Sequence, residues 1–333
     1  MYQEEKAYIG NLSQLFDVKT YRFTGGRREG VEAVDVSTGG GLEFTVTPGR
    51  CMDFYQLKFR GKNLNFITPN GITAAPFCET DKNLFLRSFA GGFLTTCGLT
   101  TIGEGGEDGG EMLPLNGRIH AAPAEIFSAD VSVVDSVPQA LIKGTMREAV
   151  LFGDCLTLTR VITCRYGENK LSFIDTVENI GYRSTPHMIL YHFNMGYPLL
   201  SDKAKLIIPT NGIQPCNAHA AVTQTRWNQL EAPQPGMEES CFYHDLHADA
   251  DGFAAVGVDN PAEHIGVRIR FDRKALPYFV QWRMLGSGEY VTGLEPANAP
   301  IDGRAQARAE GKLPFLQPGE KITYHFEIEA FDL

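Results

Sequence analysis

The chain has 333 residues, of which 43% are hydrophobic and 21% charged, and it carries a formal net charge of −10 at pH 7. This acidic balance argues against binding to nucleic acid or to an anionic membrane surface, and no apolar run reaches the roughly 18 residues of a membrane-spanning helix. We therefore expect a globular protein with a large core, no nucleic-acid partner and no membrane contact.

The N-terminus and the cysteines indicate the compartment. The first ten residues, MYQEEKAYIG, are acidic and polar and do not resemble a secretory signal. The seven cysteines are scattered without a CxxC pair. An odd number of scattered cysteines is more typical of buried, reduced thiols than of a disulfide framework. These features predict a cytoplasmic protein.

The chain begins with a segment of weak helical spacing and then changes to short strands. We interpret residues 1–30 as an N-terminal arm or edge segment. Leu42, Phe44 and Val46 then alternate with polar residues before a Pro-Gly turn, which is typical of a strand. No repeat or composition break divides residues 31–333. This part is predicted to be one large, all-β domain of antiparallel sheets.

The middle of the chain alternates between strand patterns and long loops. Residues 101–120 contain six glycines and predict a long loop, a kind of segment that often borders a functional site. A clear hairpin turns at residues 166–169. The segment 202–240 is rich in Asn, Pro and Gln and predicts an irregular excursion. Only residues 303–311 predict a short helix near the C-terminus.

Glu295 is the first candidate for catalysis. It lies in the strand pattern GSGEYVTGLEPAN, directly before Pro296, which cannot donate to a sheet ladder and which disfavours helical geometry at Glu295. The neighbouring glycines permit close approach of another group. A carboxylate on a rigid, extended backbone suits a general base. The alternative is an exposed glutamate where a strand meets a loop.

His192 is the second candidate. It lies in the apolar strand ILYHFNMG, and Asn194, two residues later, shares its face. A histidine and an asparagine on one face are suited to a polyhydroxylated ligand, although a buried structural histidine is the alternative. His187 is at an odd spacing from His192 and is expected on the opposite face, which argues against a shared metal.

No metal or cofactor is predicted. His244, Asp245 and His247 in YHDLH resemble a ligand cluster, but their spacing matches no zinc pattern, and their role is left open. The sequence contains no phosphate loop, dinucleotide fingerprint or Gly-x-Ser-x-Gly elbow. His120 borders the glycine-rich loop and is a candidate to enter a site from it. Trp282 offers an aromatic face to a sugar ring, with an ordinary core tryptophan as the alternative.

Five short segments occur in a recognisable order along the chain, with Trp282 between the last two: GRCMDF, RSFAGGF, PLNGRI, YHFN and GLEPAN. Their order resembles the galactose mutarotase-like superfamily of aldose 1-epimerases. The resemblance is closest to the branch described as an aldose 1-epimerase-like domain of unknown function, and it extends from about residue 40 to the C-terminus. It implies a large antiparallel β-supersandwich with few short helices and with a sugar cleft on one face.

The same resemblance implies roles for individual residues. Glu295 would be the general base and His192 the general acid. The remaining residues of the implied substrate site are Arg50, Asp53, Arg87, Asn116, His120, Asn194 and Trp282. Arg87 is the preferred sugar contact among the charged ones.

One position departs from the mutarotase pattern. Mutarotases have a His-Gly pair where this chain has Asn116-Gly117. An asparagine side chain can form a hydrogen bond to a hydroxyl group but cannot transfer a proton. The sequence leaves open whether His120 compensates for the missing histidine.

The function predicted from these residues is that of an aldose 1-epimerase, which interconverts sugar anomers. Two alternatives stay open at this stage. One is a carbohydrate-binding protein without catalysis on the same scaffold. The other is a glycoside hydrolase or lyase that pairs Glu295 with Asp53 or Asp245. The sequence does not specify the sugar, its phosphorylation or the oligomeric state.

Overall fold

The structure, a computed structural model, describes residues 2–79 and 81–333. Most of its regular structure is antiparallel strand. The strands up to residue 179 are β1 Asp17–Arg22, β2 Glu32–Ser37, β3 Leu42–Thr47, β4 Asp53–Phe59, β5 Lys62–Asn63, β6 Leu94–Leu99, β7 Gly106–Asp108, β8 Glu111–Leu113, β9 Ile126–Val134, β10 Val137–Ala149, β11 Cys155–Arg165 and β12 Lys170–Asn179.

The second half of the chain continues in the same way. Its strands are β13 Thr185–Pro186, β14 Met188–Met195, β15 Lys205–Ile207, β16 Thr210–Pro215, β17 Ser240–Leu246, β18 Phe253–Asn260, β19 Ile265–Asp272, β20 Tyr278–Gly286, β21 Glu289–Ala297, β22 Phe315–Leu316 and β23 Lys321–Asp332.

Helices are few and short. The α-helices are α1 Tyr2–Glu5, α2 Ala218–Thr223 and α3 Arg304–Ala309. The 3₁₀ turns are Lys6–Tyr8, Leu12–Gln14, Gly26–Arg28, Ala75–Phe77, Lys82–Arg87, Ile119–Ala121 and Gln224–Arg226. Among the described residues, no helix is long and apolar enough to cross a membrane.

Three large sheets build the molecule. The first has the order β1-β2-β3-β4-β5, the second β15-β18-β19-β23-β12-β11-β10-β9, and the third β16-β17-β20-β21-β14-β6. Two small pairs, β7-β8 and β13-β22, complete the sheets of the described chain. Strands adjacent in sequence frequently pair through short turns, which favours antiparallel pairing. The predicted all-β, antiparallel fold class is confirmed.

The main core lies between the sheets. Tyr324, Phe326 and Ile328 of β23 are buried on one face of the eight-stranded sheet, as their alternation predicts. Phe326 stacks on Phe173 at a ring distance of 4.6 Å and meets Tyr191 of the six-stranded sheet at 4.4 Å. These aromatic contacts fix the eight-stranded and six-stranded sheets face to face.

The six-stranded sheet supports the candidate site on its other face. Tyr191 and Phe193 of β14 point into the core, so Leu190 and His192 point to the opposite side. β21 lies beside β14 in the middle of this sheet, with β20 and β17 following it. Side chains from four neighbouring strands can therefore meet on one surface.

Local predictions agree with the structure in several places and fail in two, one of them the predicted loop over 101–120, which contains the strand pair β7–β8. The hairpin at residues 166–169 joins β11 to β12, and the predicted C-terminal helix is α3. The prediction of an irregular segment over 202–240 was wrong in part, because it contains β15, β16 and α2. Pro215 at the end of β16 and Asn217 at the N-cap of α2 are residue types that favour turns, so the sequence did not indicate this regular structure.

The N-terminal segment contributes a strand to the first sheet. β1 pairs along its length with β2, from Asp17 opposite Ser37 to Arg22 opposite Glu32. The residues before β1 form short helical turns. The division into an arm over 1–30 and one domain over 31–333 stays a prediction.

Candidate active site

The pairing of β14 with β21 brings the two candidate catalytic residues together. Leu190 lies opposite Ala297, and Phe193 lies opposite Leu294. The same register places His192 opposite Glu295. The regular pairing is interrupted between these points, where Pro296 has no N–H group to donate. The strand continues through Pro296 to Ala297, so Glu295 lies two residues before the end of the strand and not at its end.

The two side chains are in direct contact. Nε2 of His192 lies 3.2 Å from Oε1 of Glu295, and the side chains are only 10% and 6% exposed. Their relative orientation does not give a good hydrogen bond, so Oε1 of Glu295 has no hydrogen-bond partner within the protein. Nδ1 of His192 also has none. Buried polar atoms without partners are costly, so the pair has unmet hydrogen-bonding capacity beside the cleft.

Gly293 makes room for the carboxylate. A Cβ atom at this position would lie 2.2 Å from Oε1 of Glu295 and 3.0 Å from Cβ of Trp282. The carboxylate of Glu295 is therefore folded back over the bare backbone of Gly293. This glycine is required for close approach, which is the use that the sequence predicted for the glycines around Glu295.

Burial shifts the titration of both groups toward their neutral forms. Burial, with a smaller contribution from the charge of Glu239, raises the pKa of Glu295 to about 8. Burial lowers the pKa of His192 to about 4. At pH values between about 4 and about 8, the pair therefore holds one proton, and the carboxyl group of Glu295 carries it. Two groups this close titrate as a unit.

The pair lies in a cleft of about 600 Å³, which is within the size range of small-molecule sites. The sheet supplies one side of the cleft through Leu190, His192, Cys241, Val280, Trp282 and Glu295. Segments from other parts of the chain supply the rest, namely residues around 83–89, 103–105, 115–116, 216–217, 239 and 301–302. The predicted glycine-rich loop thus borders the site.

Two of the predicted substrate residues also line this cleft. The ring of Trp282 meets the ring of His192 edge-on at 5.4 Å, and its Nε1 donates a hydrogen bond to Glu239 at 2.7 Å. Asn116 adopts a left-handed backbone conformation, and its side-chain oxygen accepts from the N–H of Gly103 at 3.1 Å. The amide of Asn116 therefore helps to fix the loop and leaves its Nδ2 group for a ligand.

Arg50 and Asp53 do not line the cleft, so their prediction as cleft residues is corrected. The buried guanidinium of Arg50 donates to the backbone carbonyls of Thr73, His120 and Ser88. The carboxylate of Asp53 is paired with the guanidinium of Arg160 at 3.1 Å. Both residues hold parts of the scaffold together.

Arg87, His120 and Asn194 also lie outside the cleft lining. The exposed Arg87 pairs with Glu79 at 3.2 Å, although Phe85 and Leu86 beside it line the cleft. Its turn directs the guanidinium toward Glu79 and away from the cleft lining, and the role of Arg87 as a sugar contact stays a prediction.

His120 and Asn194 are buried behind the cleft. His120 packs edge-on against the cleft residue Phe85 at 4.8 Å, and burial lowers its pKa to about 3. A neutral, enclosed imidazole does not replace the missing histidine at position 116. The side-chain amide of Asn194 donates to the carbonyls of Gly92 and His192 at 3.1 and 2.9 Å, so it supports the backbone that carries His192.

Several cleft residues were not identified from the sequence. They are Asn83, Glu104, Cys216, Asn217, Glu239, Cys241 and Asp302. Glu239 carries no local signal, because it lies within the segment 202–240, which the sequence predicts to be irregular. With Glu295, the cleft has carboxylates at positions 104, 239 and 302, and no Lys or Arg of the described chain is part of its lining.

The candidate metal cluster is dispersed. Nε2 of His244 lies 3.1 Å from the side-chain oxygen of Gln281, and Asp245 pairs with Arg273. His247 is exposed. Across residues 2–79 and 81–333, no group of three or more His, Cys, Asp or Glu side chains is arranged to hold a metal.

The fold is that of galactose mutarotase-like proteins. A proposed aldose 1-epimerase from Klebsiella pneumoniae is 23% identical, with a TM-score of 0.90 over 95% of this chain and 84% of that chain. A galactose mutarotase-like protein from Clostridium acetobutylicum is 12% identical, with a TM-score of 0.68 over 96% and 100% of the two chains. Galactose 1-epimerase from Lactobacillus acidophilus is 12% identical, with a TM-score of 0.58 over 95% and 99%.

Sequence comparison identifies the family. Residues 28–330 match the family model described as Domain of unknown function (DUF4432), and the chain belongs to this family. No curated protein matches the sequence. The predicted resemblance to galactose mutarotase-like proteins is confirmed at the level of the fold.

Proposed function

We infer that the protein is an aldose 1-epimerase with Glu295 and His192 as its acid–base pair. The single observation that carries this proposal is the 3.2 Å separation of Oε1 of Glu295 and Nε2 of His192 in the cleft. Anomer interconversion moves protons at two oxygens that share one carbon atom. An acid and a base that serve both oxygens must therefore be close neighbours.

In the proposed mechanism, Glu295 is the base and His192 the acid. The anomeric hydroxyl donates a hydrogen bond to Glu295, which favours the carboxylate form, and the shared proton passes to His192. Glu295 then takes the hydroxyl proton while His192 protonates the ring oxygen. The bond between the anomeric carbon and the ring oxygen breaks, and the open carbonyl form rotates about the bond between its first and second carbon atoms. Reversal of both transfers closes the ring as the other anomer.

The charges around the cleft favour an uncharged sugar as the substrate. Glu104, Glu239, Asp302 and Glu295 line it without a basic side chain from the described residues. Carboxylates accept hydrogen bonds from sugar hydroxyls and repel a phosphate or a uronic acid. Trp282 adds an aromatic surface for the face of a pyranose. We therefore expect a neutral aldose rather than an anionic one.

The second candidate function is a glycoside hydrolase with two catalytic carboxylates. Its second carboxylate would be Glu239 rather than Asp53 or Asp245, the partners considered from the sequence. Neither Asp53 nor Asp245 lines the cleft, but Glu239 does, and its charge contributes to the raised pKa of Glu295. A protonated acid beside an ionised carboxylate is the arrangement that glycoside hydrolysis uses. Release of nitrophenol from nitrophenyl glycosides, lost in both Glu239→Gln and Glu295→Gln, would support this alternative.

The decisive experiment is anomer exchange in Glu295→Gln, measured by polarimetry or by NMR on a panel of neutral aldoses. We expect the rate to fall by on the order of 10²–10⁴, because one positioned acid or base contributes about that much. Glu148→Gln is the matched control, since Glu148 is another buried carboxyl group with a raised pKa, outside the cleft lining. Anomer exchange at the native rate in Glu295→Gln would remove the proposal.

A further inference from the structure

We propose that the cleft continues into a second sugar-binding subsite, and that the preferred substrate is a reducing oligosaccharide. This inference rests on the proposed function for the position of the anomeric carbon. It concerns a hollow of about 740 Å³ beside the cleft, which shares Cys216 and Asp302 with it. The two hollows are therefore neighbours that meet at these two residues.

Both hollows lie on the same face of the six-stranded sheet. In β17, Cys241 lines the first hollow and Tyr243 and Asp245 line the second. In β20, Trp282 lines the first and Tyr278 the second. Residues two or four positions apart in a strand share a face. The catalytic pair and the second hollow therefore lie on one face of the same sheet.

The distance suits a second sugar ring. β21, which carries Glu295, is followed across the sheet by β20, β17 and β16. In β20, Val280 lies opposite Glu295, and Tyr278 of the second hollow is two residues further along this strand, which is about 7 Å. When the anomeric carbon of the first ring faces the pair, the second ring of a linear disaccharide lies at about this distance.

The lining of the second hollow suits a neutral ring with several hydroxyls. Two of its three acidic side chains are paired with basic ones, with Arg273 3.2 Å from Asp245 and Lys312 2.7 Å from Glu310, while Asp302 accepts a hydrogen bond from Tyr243. Each pair keeps donors and acceptors for hydroxyl groups without a net charge. The first hollow is acidic, so the second differs from it in charge and is not a simple enlargement.

Aromatic side chains in the second hollow are held in place. The hydroxyl of Tyr243 donates to Asp302 at 2.7 Å and accepts from the N–H of Ile301 at 2.8 Å. Tyr278 is half-buried beside it on β20. Rigid aromatic rings bury apolar area at little entropic cost. The C–H face of a pyranose can pack on such rings while its hydroxyls reach the charged pairs.

The first test compares each monosaccharide with a reducing disaccharide that ends in it. Glucose, galactose, mannose and xylose are paired with cellobiose, β-1,4-galactobiose, β-1,4-mannobiose and xylobiose. For the aldose that the enzyme accepts, we expect kcat/KM for anomer exchange to be at least tenfold higher with the disaccharide. A ratio near one in the native protein would overturn the proposal.

The second test blocks the subsite. Gly212 lines the second hollow, its φ is not positive, and a Cβ atom there would meet open space. Gly212→Phe is therefore expected to fold and to lower the disaccharide-to-monosaccharide ratio of kcat/KM to about one. Gly10→Phe is the matched control, since Gly10 is exposed and lines neither hollow. A ratio unchanged in Gly212→Phe contradicts the subsite.

A binding measurement separates this proposal from the proposed activity. Methyl glycosides cannot exchange anomers, so calorimetry with methyl β-cellobioside and methyl β-glucoside, and with the corresponding pairs for the other sugars, reports binding alone. At least tenfold tighter binding of a disaccharide glycoside, lost in Gly212→Phe, supports the subsite even if no sugar is epimerised. Equal affinities, or binding of neither glycoside in any pair, overturn it. Absence of anomer exchange on every sugar rejects only the proposed activity.

Discussion

Two of the buried acid–base clusters in the described part of the chain differ in how well their polar atoms are satisfied. In the core, Arg160 binds Asp175 at 2.7 Å and Asp53 at 3.1 Å, and burial raises the pKa of Asp53 to about 6 against the opposing effect of the guanidinium. In the cleft, Glu295 has only the neutral His192 beside it, and its pKa rises to about 8.

The difference indicates which cluster is structural. Both carboxylate oxygens of Asp175 accept from Arg160, and both oxygens of Asp53 are also bonded, to Arg160 and to Thr96. A fully satisfied network resists change and holds sheets together. Unpartnered atoms at the surface of a cleft are typical of a functional site instead. A raised pKa by itself does not distinguish the two.

The largest expected effect on stability comes from breaking the core cluster. Arg160→Met leaves the carboxylates of Asp53 and Asp175 buried without a cation, and removal of one partner of a buried pair costs about 3–5 kcal/mol. Arg165→Met, on the same strand but with a 39% exposed side chain, should change the free energy of unfolding by less than about 0.5 kcal/mol. Urea denaturation of both variants measures this, and equal stabilities would contradict the structural role.

In contrast to Arg160→Met, Glu295→Gln should raise the stability of the protein above pH 4.5. The pKa of Glu295 is raised from 4.5 to about 8 in the folded state, so the folded protein holds a proton that the unfolded chain loses between these values. Rising pH therefore removes stability through this window. Because glutamine does not titrate, the variant should gain stability relative to the native protein from pH 4.5 to 8. A constant stability difference across these pH values would show that Glu295 titrates normally.

A smaller effect is expected when the catalytic carboxylate is displaced. Gly293→Ala places a methyl group 2.2 Å from the present position of Oε1 of Glu295, so the carboxylate must move. Because a misplacement of about 1 Å can reduce catalysis by up to about 10²-fold, we expect kcat for anomer exchange to fall by that order, with thermal stability little changed. Native kcat in this variant would mean that the carboxylate position is not important.

The smallest effect concerns the pH profile. The active, singly protonated pair should give a bell-shaped dependence of kcat/KM, with limbs near the pKa values of about 4 and 8. The negative charge of Glu239 disfavours ionisation of Glu295, so Glu239→Gln should lower that pKa and move the alkaline limb to lower pH. Glu238→Gln is the control, because Glu238 is exposed and lies outside the cleft lining. An alkaline limb in the same place for both variants would exclude this coupling.

The sequence by itself determined the strands and the faces of their side chains. Alternation and turn residues were sufficient for the β11–β12 and β20–β21 hairpins, and they identified Glu295 and His192 as residues on extended backbone. The order of short motifs then indicated the superfamily. These features are local, because a two-residue period and the conformational limits of Pro and Gly act over a few residues.

Only the tertiary structure decided which residues share the cleft. Arg50 and Asp53 lie in a motif that matches the family, yet they are buried in the scaffold. Glu239 lies outside every recognised motif, yet it holds Trp282 and faces the cleft. The reason is that strand order and register bring together residues far apart in sequence, whereas a local pattern specifies the face of a side chain but not its neighbours.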